Sequence, residues 1–489
     1  MEAAITLAAL PVASVVLWTL LRSPSLGGRL VAVPTGARWN DHVTPLFGGV
    51  GIAAGLLAGV LLALAVGVVE PTWLLAGIVA GCGLVFVAGL LDDVRHLSPI
   101  AKLVAQFGAA AIAIAAGLRV ELVSNDVLGV VIALVWLVGI TNAFNLLDNM
   151  DGLAATLATV ACAYFAIDAA TVHDNDLVLV LALSLAFACL GFLPFNLRPG
   201  ERARVFMGDS GSQLLGFLLA VLGLAASWTT AGTTIATMLL PLLVLAIPIL
   251  DTTLVTIRRL AERRPVTQGG KDHTSHRLVY YGLSETRAVV LLALIGVALG
   301  ATGVAYNVLD RPAVTALGVL ATFALLVQFG SFLAELSENE RLGRPGDTSL
   351  RHAITVQPRR LIELAVDGLL VGGTLLAVYL LFVDERGTEL QRGTFLAVLP
   401  ILLGTTYAVY VVGGVYRRVW RFATARDLAM IAVASLVATG AAWAIVVATR
   451  DLGDFPREIF PVYAVAAAVL AVLSRALVRF VPAAGGADD

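Results

Sequence analysis

Long apolar runs alternate with short polar segments along almost the whole chain. Because a helix needs about 20 apolar residues to cross the hydrocarbon core of a bilayer, each run predicts a transmembrane helix. Eleven runs come first, at approximately 3–21, 47–69, 73–91, 100–117, 128–147, 153–171, 177–195, 211–230, 234–257, 287–305 and 312–332. Four more follow at about 362–382, 394–415, 427–448 and 459–480. The pattern predicts an all-α polytopic integral membrane protein with about 15 transmembrane helices.

The composition supports this class. Of 489 residues, 59% are hydrophobic and 13% are charged, whereas a soluble domain carries about 25% charged residues. The three cysteines, Cys82, Cys162 and Cys189, lie inside apolar runs without paired spacing, so we expect buried free thiols. The first run lacks a basic start and a clear small-residue cleavage site, and we interpret it as a retained span.

The distribution of basic residues predicts the orientation. With the N-terminus outside and the loops alternating, 26 of the 32 lysines and arginines fall on the inner side and 6 on the outer side. Since cytoplasmic loops are enriched in Lys and Arg, this split favours an outside N-terminus and a cytoplasmic C-terminus. Four polar clusters of the first eleven spans then share the cytoplasmic face, which is typical of one active site.

A polar segment from Glu335 to Arg360, rich in Glu, Arg, Gly and Pro, divides the two groups of spans. We predict an eleven-span domain at 1–335, a cytoplasmic linker at 336–360 and a four-span module at 361–489. The last module contains no cluster of catalytic residue types.

The first polar cluster contains Asn142, Asn145, Asp148 and Asp151, directly after an apolar run. On a helix, residues three or four apart share a face, so Asn145 and Asp148 are predicted to point to one place, with Asp151 as a further candidate. Carboxylates near membrane depth are costly unless they line a wet, functional cavity. The alternative is helix capping and a turn at Asp151-Gly152.

A pair of carboxylates, Asp92 and Asp93, closes the third span. Adjacent carboxylates suit magnesium binding or general-base catalysis, because hard cations prefer oxygen ligands and like charges raise one of the two pKa values. The alternative is an acidic helix end.

Asp209 lies in Gly208-Asp-Ser-Gly-Ser212 at the start of the eighth span. Free backbone N–H groups at a helix N-terminus attract phosphate oxygens, and a carboxylate beside them can hold a metal that bridges a diphosphate. The alternative is an N-cap.

A basic loop from Arg264 to Arg277 contains His273 and His276. Anion binding by these histidines and Arg277 is the favoured interpretation. A zinc site is disfavoured because no cysteine or other third ligand lies nearby. A solvated basic loop is the remaining alternative. In the first inner loop, Gly48 and Gly49 permit close helix packing or approach to a ligand, and His42 joins the substrate-binding candidates.

Together these clusters resemble the polyprenyl-phosphate N-acetylhexosamine-1-phosphate transferases of the glycosyltransferase family 4 type, which include the phospho-MurNAc-pentapeptide translocase. The resemblance covers roughly residues 1–335 in family order and spacing. It rests on Gly89-Leu-Leu-Asp92-Asp93, Asn142-Ala-Phe-Asn145-Leu-Leu-Asp148-Asn-Met-Asp151-Gly152, Phe206-Met-Gly-Asp209-Ser-Gly-Ser212 and Asp272-His273-Thr-Ser-His276-Arg277-Leu278.

The resemblance implies transfer of N-acetylhexosamine 1-phosphate from a UDP-sugar to undecaprenyl or another polyprenyl phosphate, with release of UMP. That reaction starts lipid-linked cell-envelope glycan synthesis at the cytoplasmic face of the bacterial inner membrane. Mg²⁺ is the implied cofactor, with Mn²⁺ as an alternative ion. The mechanism is either direct attack or a two-step path through a phosphorylated aspartate.

The resemblance also implies residue roles. Asp209 matches a magnesium ligand, and Asp92 matches the base that deprotonates the lipid phosphate, with Asp93 beside it and Lys102 nearby. Asp92 and Asp93 are the implied catalytic residues, and the implied substrate-binding residues are His42, Lys102, Asn145, Asp148, Asp151, Asn196, His273, His276 and Arg277.

Two departures from the family pattern concern the sugar site. Asn149 stands where many relatives have Gly. The loop reads His273-Thr-Ser-His276-Arg277 instead of the consecutive histidines of the pentapeptide translocase, which favours UDP-GlcNAc over the pentapeptide donor.

The last four spans resemble the membrane region of polysaccharide-biosynthesis nucleotide-sugar dehydratases and epimerases. This resemblance rests on the segments 357–368 and 414–428. We expect either a docking module for other glycan-assembly enzymes or plain stabilising helices. A homodimer is left open, and no nucleic acid partner is expected.

A membrane transporter or lipid flippase is the competing function. A transporter is expected to place charges in mid-span and to show repeat symmetry. Here the charges gather at cytoplasmic ends, and no repeat is visible, which favours the transferase.

Overall fold

The computed structural model describes residues 2–23, 30–32, 42–120, 125–228, 235–261, 263, 265, 273–280, 283–309, 358–382, 389–417, 424–449 and 456–477. Two compact units are present, Met1–Val308 and Leu309–Asp489.

In the parts that the structure describes, the regular elements of the first unit are helices and one short antiparallel ribbon of strands β1 (Val31–Ala32) and β2 (Thr44–Pro45). Its helices are α1 (Glu2–Thr6), α2 (Ala9–Arg22), α3 (Gly48–Val66), α4 (Trp73–Arg95), α5 (Pro99–Ala115), α6 (Asp126–Leu147), α7 (Leu153–Thr171), α8 (Asp176–Asn196), α9 (Gly208–Gly223), α10 (Ile235–Val244), α11 (Ala246–Ala261), α12 (Thr274–Tyr280) and α13 (Glu285–Leu309).

Polar side chains cap the starts of α4, α5, α6 and α8, whereas Gly152 precedes α7 without a side-chain cap. The side chains of Thr72, Ser98, Asn125 and Asn175 each accept a hydrogen bond from the backbone N–H three residues later. Such caps satisfy donors that the first helical turn leaves unpaired. Pro99 occupies the first position of α5, where its missing N–H costs nothing.

Helix α9 lies at the centre of the first unit. Every residue from Ser210 to Gly223 is buried, and the helix packs against α3, α4 and α6. The outer helices instead expose large apolar side chains such as Leu61, Val104 and Val135. Because lipid tails solvate apolar side chains, this distribution is that of a membrane-embedded bundle with a polar site at one end.

Nine helices of the described residues are long and apolar enough to cross a membrane, and four shorter apolar helices accompany them. The prediction of an all-α polytopic membrane protein is therefore confirmed. The predicted cysteines are also confirmed as buried free thiols.

Several predicted boundaries differ from the helices. The run 234–257 is divided between α10 and α11, with Pro241 in the turn before the break, because proline removes a helical hydrogen bond. The run 3–21 is interrupted between α1 and α2. The predicted span 312–332 and the linker up to residue 357 lie outside the described residues.

Among its described residues, the second unit contains four long helices, α14 (Pro358–Phe382), α15 (Glu389–Val412), α16 (Ala425–Thr449) and α17 (Ile459–Leu477). A single 3₁₀ turn, Val415–Arg417, follows α15. Each helix packs against its sequence neighbours, and α14 also packs against α17, which closes the bundle.

Candidate active site

Asp92 lies in the last turn of α4 and is held at both carboxylate oxygens. Oδ1 accepts a hydrogen bond from the backbone N–H of Leu97 at 2.7 Å. Oδ2 lies 3.1 Å from the Nζ of Lys102 in the first turn of α5. The short connection between α4 and α5 thus places a carboxylate and an ammonium side by side.

The same ammonium also contacts Asp209, which lies in the first turn of α9. The distance from Lys102 Nζ to Asp209 Oδ2 is 2.9 Å. The side chains of Lys102, Asp92 and Asp209 are 25%, 13% and 30% exposed, respectively. They therefore remain within reach of a ligand from solution while they hold three helices together.

Asp93 faces the start of α9 from the other side. Its Oδ1 and Oδ2 accept hydrogen bonds from the backbone N–H groups of Asp209 at 2.8 Å and Ser210 at 3.1 Å. Gly208 has a φ of +75°, and a Cβ at this position would lie 2.7 Å from Asp93 Oδ2. Only glycine permits this backbone conformation and approach without strain.

This arrangement corrects one expectation from the sequence. The N–H groups of Asp209 and Ser210 were expected to be free for phosphate oxygens, yet the carboxylate of Asp93 accepts from both. A helix N-terminus attracts anions, and at the start of α9 the carboxylate of Asp93 is that anion.

Asp148 caps the end of α6, and Asp151 lies in the turn that follows. Helix α6 ends at Leu147, and the N–H of Asp148 still bonds to the carbonyl of Phe144 at 3.1 Å, whereas the N–H of Asn149 bonds to the carbonyl of Leu147 at 2.8 Å. Gly152, with a φ of +78°, caps the start of α7 in a left-handed conformation. The local backbone therefore agrees with the alternative of helix capping and a turn at Asp151-Gly152, and the shared face of Asn145 and Asp148 stays a prediction.

Asn196, the last residue of α8, stabilises this turn through hydrogen bonds. Its Oδ1 accepts from the N–H of Gly152 at 2.6 Å, and its Nδ2 donates to the carbonyl of Val205 at 2.9 Å. The side chain is 5% exposed. The structure therefore places Asn196 as a link between two loops that border the carboxylates.

The carboxylates of the turn lie in a strongly negative environment. Burial, together with the charges of Asp209, Asp151 and Asp93, raises the pKa of Asp148 to about 8. Burial and the charge of Glu285 raise the pKa of Asp151 to about 6, against a hydrogen bond from the backbone of Ala203 and the nearby His42. The raised pKa values indicate a site with an excess of negative charge and a capacity for a bound cation.

Asn145, also predicted, donates from Nδ2 to Ser212 Oγ at 2.9 Å and so links α6 to α9. One turn deeper, Asn142 Nδ2 donates to Gln106 Oε1 at 2.7 Å. Gln106 Nε2 in turn lies 3.4 Å from Gln213 Oε1. We call Gln106, Asn142 and Gln213 the amide layer; it joins α5, α6 and α9 beneath the charged residues.

The histidine segment is buried, which excludes the solvated-loop alternative for its described part. His273 Nδ1 donates to Asp251 Oδ2 at 2.8 Å, and the N–H of Thr274 donates to Asp251 Oδ1 at 2.7 Å. Ser275 Oγ donates to Asn149 Oδ1 at 2.6 Å. His276 and Arg277 follow on the short helix α12, and the remainder of the predicted loop lies outside the described residues.

Three residues of this site were missed from the sequence: Asp251, Gln106 and Gln213. Asp251 is a buried carboxylate inside an apolar run, which is a signal of function or pairing in a membrane protein. Gln106 and Gln213 each follow a predicted site residue, Lys102 and Asp209, by one helical turn. That spacing could have predicted a second polar layer.

Within the described ranges, no group of three or more His, Cys, Asp or Glu side chains is arranged to hold a metal ion by itself. The available donors near Asp209 are carboxylate oxygens, which suit a hard cation. Mg²⁺ commonly binds through one or two carboxylates together with waters and substrate phosphates. The Lys102 ammonium, between Asp92 and Asp209, shows that a positive charge is accommodated at this position.

Comparisons with known proteins agree on one group of relatives. Residues 75–227 match the model of the glycosyl transferase family 4. A probable undecaprenyl-phosphate N-acetylglucosaminyl 1-phosphate transferase of Bacillus subtilis is 35% identical over 272 residues, which are 54% of this chain and 73% of the relative. A decaprenyl-phosphate N-acetylglucosaminephosphotransferase of Mycolicibacterium smegmatis is 34% identical over 335 residues, 61% of this chain and 80% of the relative.

A phospho-N-acetylmuramoyl-pentapeptide-transferase of Enterococcus hirae is 45% identical over a shorter segment of 101 residues. That segment covers 20% of this chain and 30% of the relative.

Proposed function

Because this chain belongs to the glycosyl transferase family 4, we propose that it transfers N-acetylhexosamine 1-phosphate from a UDP-sugar to a polyprenyl phosphate and releases UMP. The observation that carries this proposal is the Lys102 ammonium between Asp92 and Asp209. Such a site offers a carboxylate for a proton, a carboxylate for a cation and a positive charge for phosphates.

The favoured donor is UDP-GlcNAc. The names of the Bacillus and Mycolicibacterium relatives both specify N-acetylglucosamine phosphate transfer to a polyprenyl phosphate. The match to the pentapeptide transferase is confined to a shorter segment. The transporter alternative is not favoured by any of these relatives.

In the proposed reaction, an oxygen of the lipid phosphate forms a bond to the phosphorus that carries the sugar. The bond from that phosphorus to the bridging oxygen breaks, and UMP leaves with that oxygen and its electron pair. Asp92 accepts the proton of the lipid phosphate where it is still protonated. Lys102 stabilises the ionised form of Asp92 and the negative charge of the phosphates.

The contacts of Asp93 support direct attack over a phospho-enzyme at that residue. Both of its oxygens accept backbone hydrogen bonds from α9. A carboxylate engaged in this way is a poor nucleophile, because bond formation would sacrifice those hydrogen bonds. We therefore assign Asp93 to the positioning of Asp209.

Mg²⁺ fits the donor set, and Mn²⁺ is the alternative ion. Asp209 would hold the ion, because its carboxylate offers the oxygen ligands that a hard cation prefers. Asp148 and Asp151 are kept as substrate-binding residues. When bound, the ion would neutralise charge on the diphosphate and on the departing phosphate.

The donor side of the site is assigned to the histidine segment and to His42. Asp251 fixes the ring of His273, so Nδ1 is the donor to the carboxylate and Nε2 faces other groups. His276 and Arg277 follow on α12. His42 lies near enough to Asp151 to oppose, in small part, the rise in the pKa of that carboxyl that burial causes. Asn145 adds a polar group on α6.

The distribution of Lys and Arg supports a cytoplasmic location for this site in the bacterial inner membrane. The same distribution supports about 15 spans, with an outside N-terminus and a cytoplasmic C-terminus.

The test is release of UMP by purified full-length protein from UDP-GlcNAc, with undecaprenyl phosphate and Mg²⁺. A panel of UDP-GlcNAc, UDP-GalNAc and UDP-MurNAc-pentapeptide ranks the donors, and omission of the lipid is the control. We expect lipid-dependent UMP release that is largest with UDP-GlcNAc. If folded protein releases UMP from none of the donors, the proposal is wrong.

A further inference from the structure

Several polar and charged side chains are buried in the otherwise apolar interior of the second unit, whose outer surface exposes apolar side chains. Leu369 is 75% exposed and Val465 is 62% exposed. Buried polar or charged side chains come from all four helices: Asp367, Thr374, Thr406, Ser435, Thr439 and Arg475. Because lipid tails are as apolar as leucine, apolar side chains alone give membrane helices little preference for one another over lipid, and interhelical hydrogen bonds between buried polar groups contribute to their association.

One part of this interior is an ion pair with all its oxygens engaged. Arg475 donates from Nη1 and Nη2 to the two oxygens of Asp367, both at 2.6 Å. The hydroxyl of Tyr416 donates to Asp367 Oδ2 at 2.8 Å. Buried charges persist in this geometry because each is paired and hydrogen-bonded.

Next to the ion pair is a cavity of about 20 Å³, to which α14, α15, α16 and α17 all contribute. Several hydroxyls on its wall already have partners. Tyr410 and Ser435 share a hydrogen bond of 2.7 Å, and Thr439 Oγ1 donates to the carbonyl of Ser435 at 2.9 Å.

Two other hydroxyls on the wall have no protein partner. The Oγ1 of Thr374 on α14 and the OH of Tyr463 on α17 are buried without a hydrogen bond among the described residues. The two side chains are 5% and 1% exposed. Burial of a hydroxyl without a partner is unfavourable, so both groups are suited to bind a small polar ligand.

We propose that this cavity is a built water site, in which ordered water hydrogen-bonds to Thr374 and Tyr463. A water needs about 10–15 Å³ of this kind of space and two to four polar partners, and the cavity meets both needs. A sugar or lipid head group exceeds this volume. A cation is disfavoured because both oxygens of Asp367 are bound to Arg475.

The water site explains why buried polar side chains are present in the four-helix bundle. Water between α14 and α17 would join helices that the Asp367–Arg475 pair already connects at another level. The buried polar side chains then specify how the four helices associate, a role attested for buried polar groups in membrane helices.

The test compares Thr374→Val, Tyr463→Phe and the double variant in the full-length protein in lipid nanodiscs. Thr439→Val is the matched control, because its hydroxyl lies on the same wall but is bonded to the protein. The readout is hydrogen–deuterium exchange of peptides from α14 and α17, which reports local opening of this unit.

With water present, each single variant removes one of its hydrogen bonds, and we expect exchange about three- to tenfold faster than in the unmodified protein. The increase in exchange rate of the double variant should be smaller than the product of the two single increases, because the water is already lost or weakened in each single variant. The control should exchange within about twofold of the unmodified protein.

If the cavity contains no water, the exchange rate should change in the opposite direction. Each single variant would then remove an unsatisfied hydroxyl, and exchange would become slower. Slower or unchanged exchange in both single variants overturns the water site. Thr374→Val is nearly isosteric, so it decides the outcome even if Tyr463→Phe fails to fold.

Discussion

The ammonium of Lys102 lies 2.9 Å from Asp209 Oδ2, although 107 residues separate them in the chain. The same Nζ lies 3.1 Å from Asp92 Oδ2. One side chain therefore connects the residue assigned as proton acceptor with the residue assigned as cation ligand. Its replacement should disturb both roles at once.

Lys102→Gln is expected to lower kcat by on the order of 100-fold, because the phosphates lose a positive charge in a partly enclosed site. UMP release at saturating donor and lipid measures this loss. Arg95→Gln, an exposed change one turn from Asp92, is the matched control and should keep most of its activity. Near-normal turnover of Lys102→Gln would remove Lys102 from the mechanism.

Asp92→Ala and Asp209→Ala should each abolish turnover while leaving the fold intact. Asp92 loses its proton-accepting oxygen, and Asp209 loses the oxygen ligands assigned to the cation. UMP release measures turnover, and size-exclusion chromatography with thermal unfolding checks the fold. Retained activity in either variant would contradict the role assigned to that residue.

Gln106→Leu should lower the free energy of unfolding by about 1–3 kcal/mol, because Asn142 and Gln213 lose their shared partner in a buried layer. It should also reduce kcat, since Lys102 lies one turn away on α5. Phe107→Leu, an exposed apolar change at the next position, is the control. A Gln106→Leu protein with unchanged stability and unchanged kcat would show that the amide layer does not position the site.

The pair of His173 and Asp168 should make stability depend on pH. A hydrogen bond of 2.8 Å to Asp168 raises the pKa of His173 above its usual value. The stabilisation is then complete below the unfolded-state pKa of about 6.5 and is lost as the pH rises through the folded-state pKa.

His173→Gln should therefore lower the unfolding temperature most near pH 5.5 and least near pH 8.5, with a loss of about 1 kcal/mol at the acid end. Thermal unfolding of both proteins across this range measures the difference. His96→Asn, which changes an exposed histidine at the end of α4, is the control. A pH-independent difference would contradict the charged pair.

Deletion of residues 336–489 should spare catalysis in vitro, because the predicted site residues all lie before residue 278. UMP release by the truncated protein in detergent measures this, and the same truncation with Asp209→Ala gives the background. A folded but inactive truncation would show that the second unit contributes to the reaction.

Apolar run length predicted most helices, because the bilayer fixes how many apolar residues a span requires. Motif order also predicted that Asp92, Asp209 and the turn at Asp148 belong to one site. The turn at Asp151-Gly152 was one of two interpretations of this segment, and helical spacing from Asn145 onward did not decide between them. The left-handed Gly152 ends the pattern.

Long-range partners were harder to predict. The sequence gives no direct sign that Asp93 would bind the N–H groups of α9, or that Asp251 would hold His273, because these contacts join residues 116 and 22 positions apart. Buried polar residues need partners, but which partner depends on how the helices pack. Only the three-dimensional arrangement identifies it.

The capping of α9 by Asp93 changes how mutagenesis of the aspartate pair is to be interpreted. Loss of Asp93 releases two N–H groups beside Asp209, so an inactive Asp93 variant reports on the geometry of its neighbour as much as on its own chemistry. Asp92 and Asp93 thus both influence Asp209: Asp92 through the shared ammonium of Lys102, and Asp93 through the backbone N–H of Asp209. The effects of alanine substitutions at Asp92, Asp93 and Asp209 are therefore coupled, and they cannot be interpreted as three independent contributions.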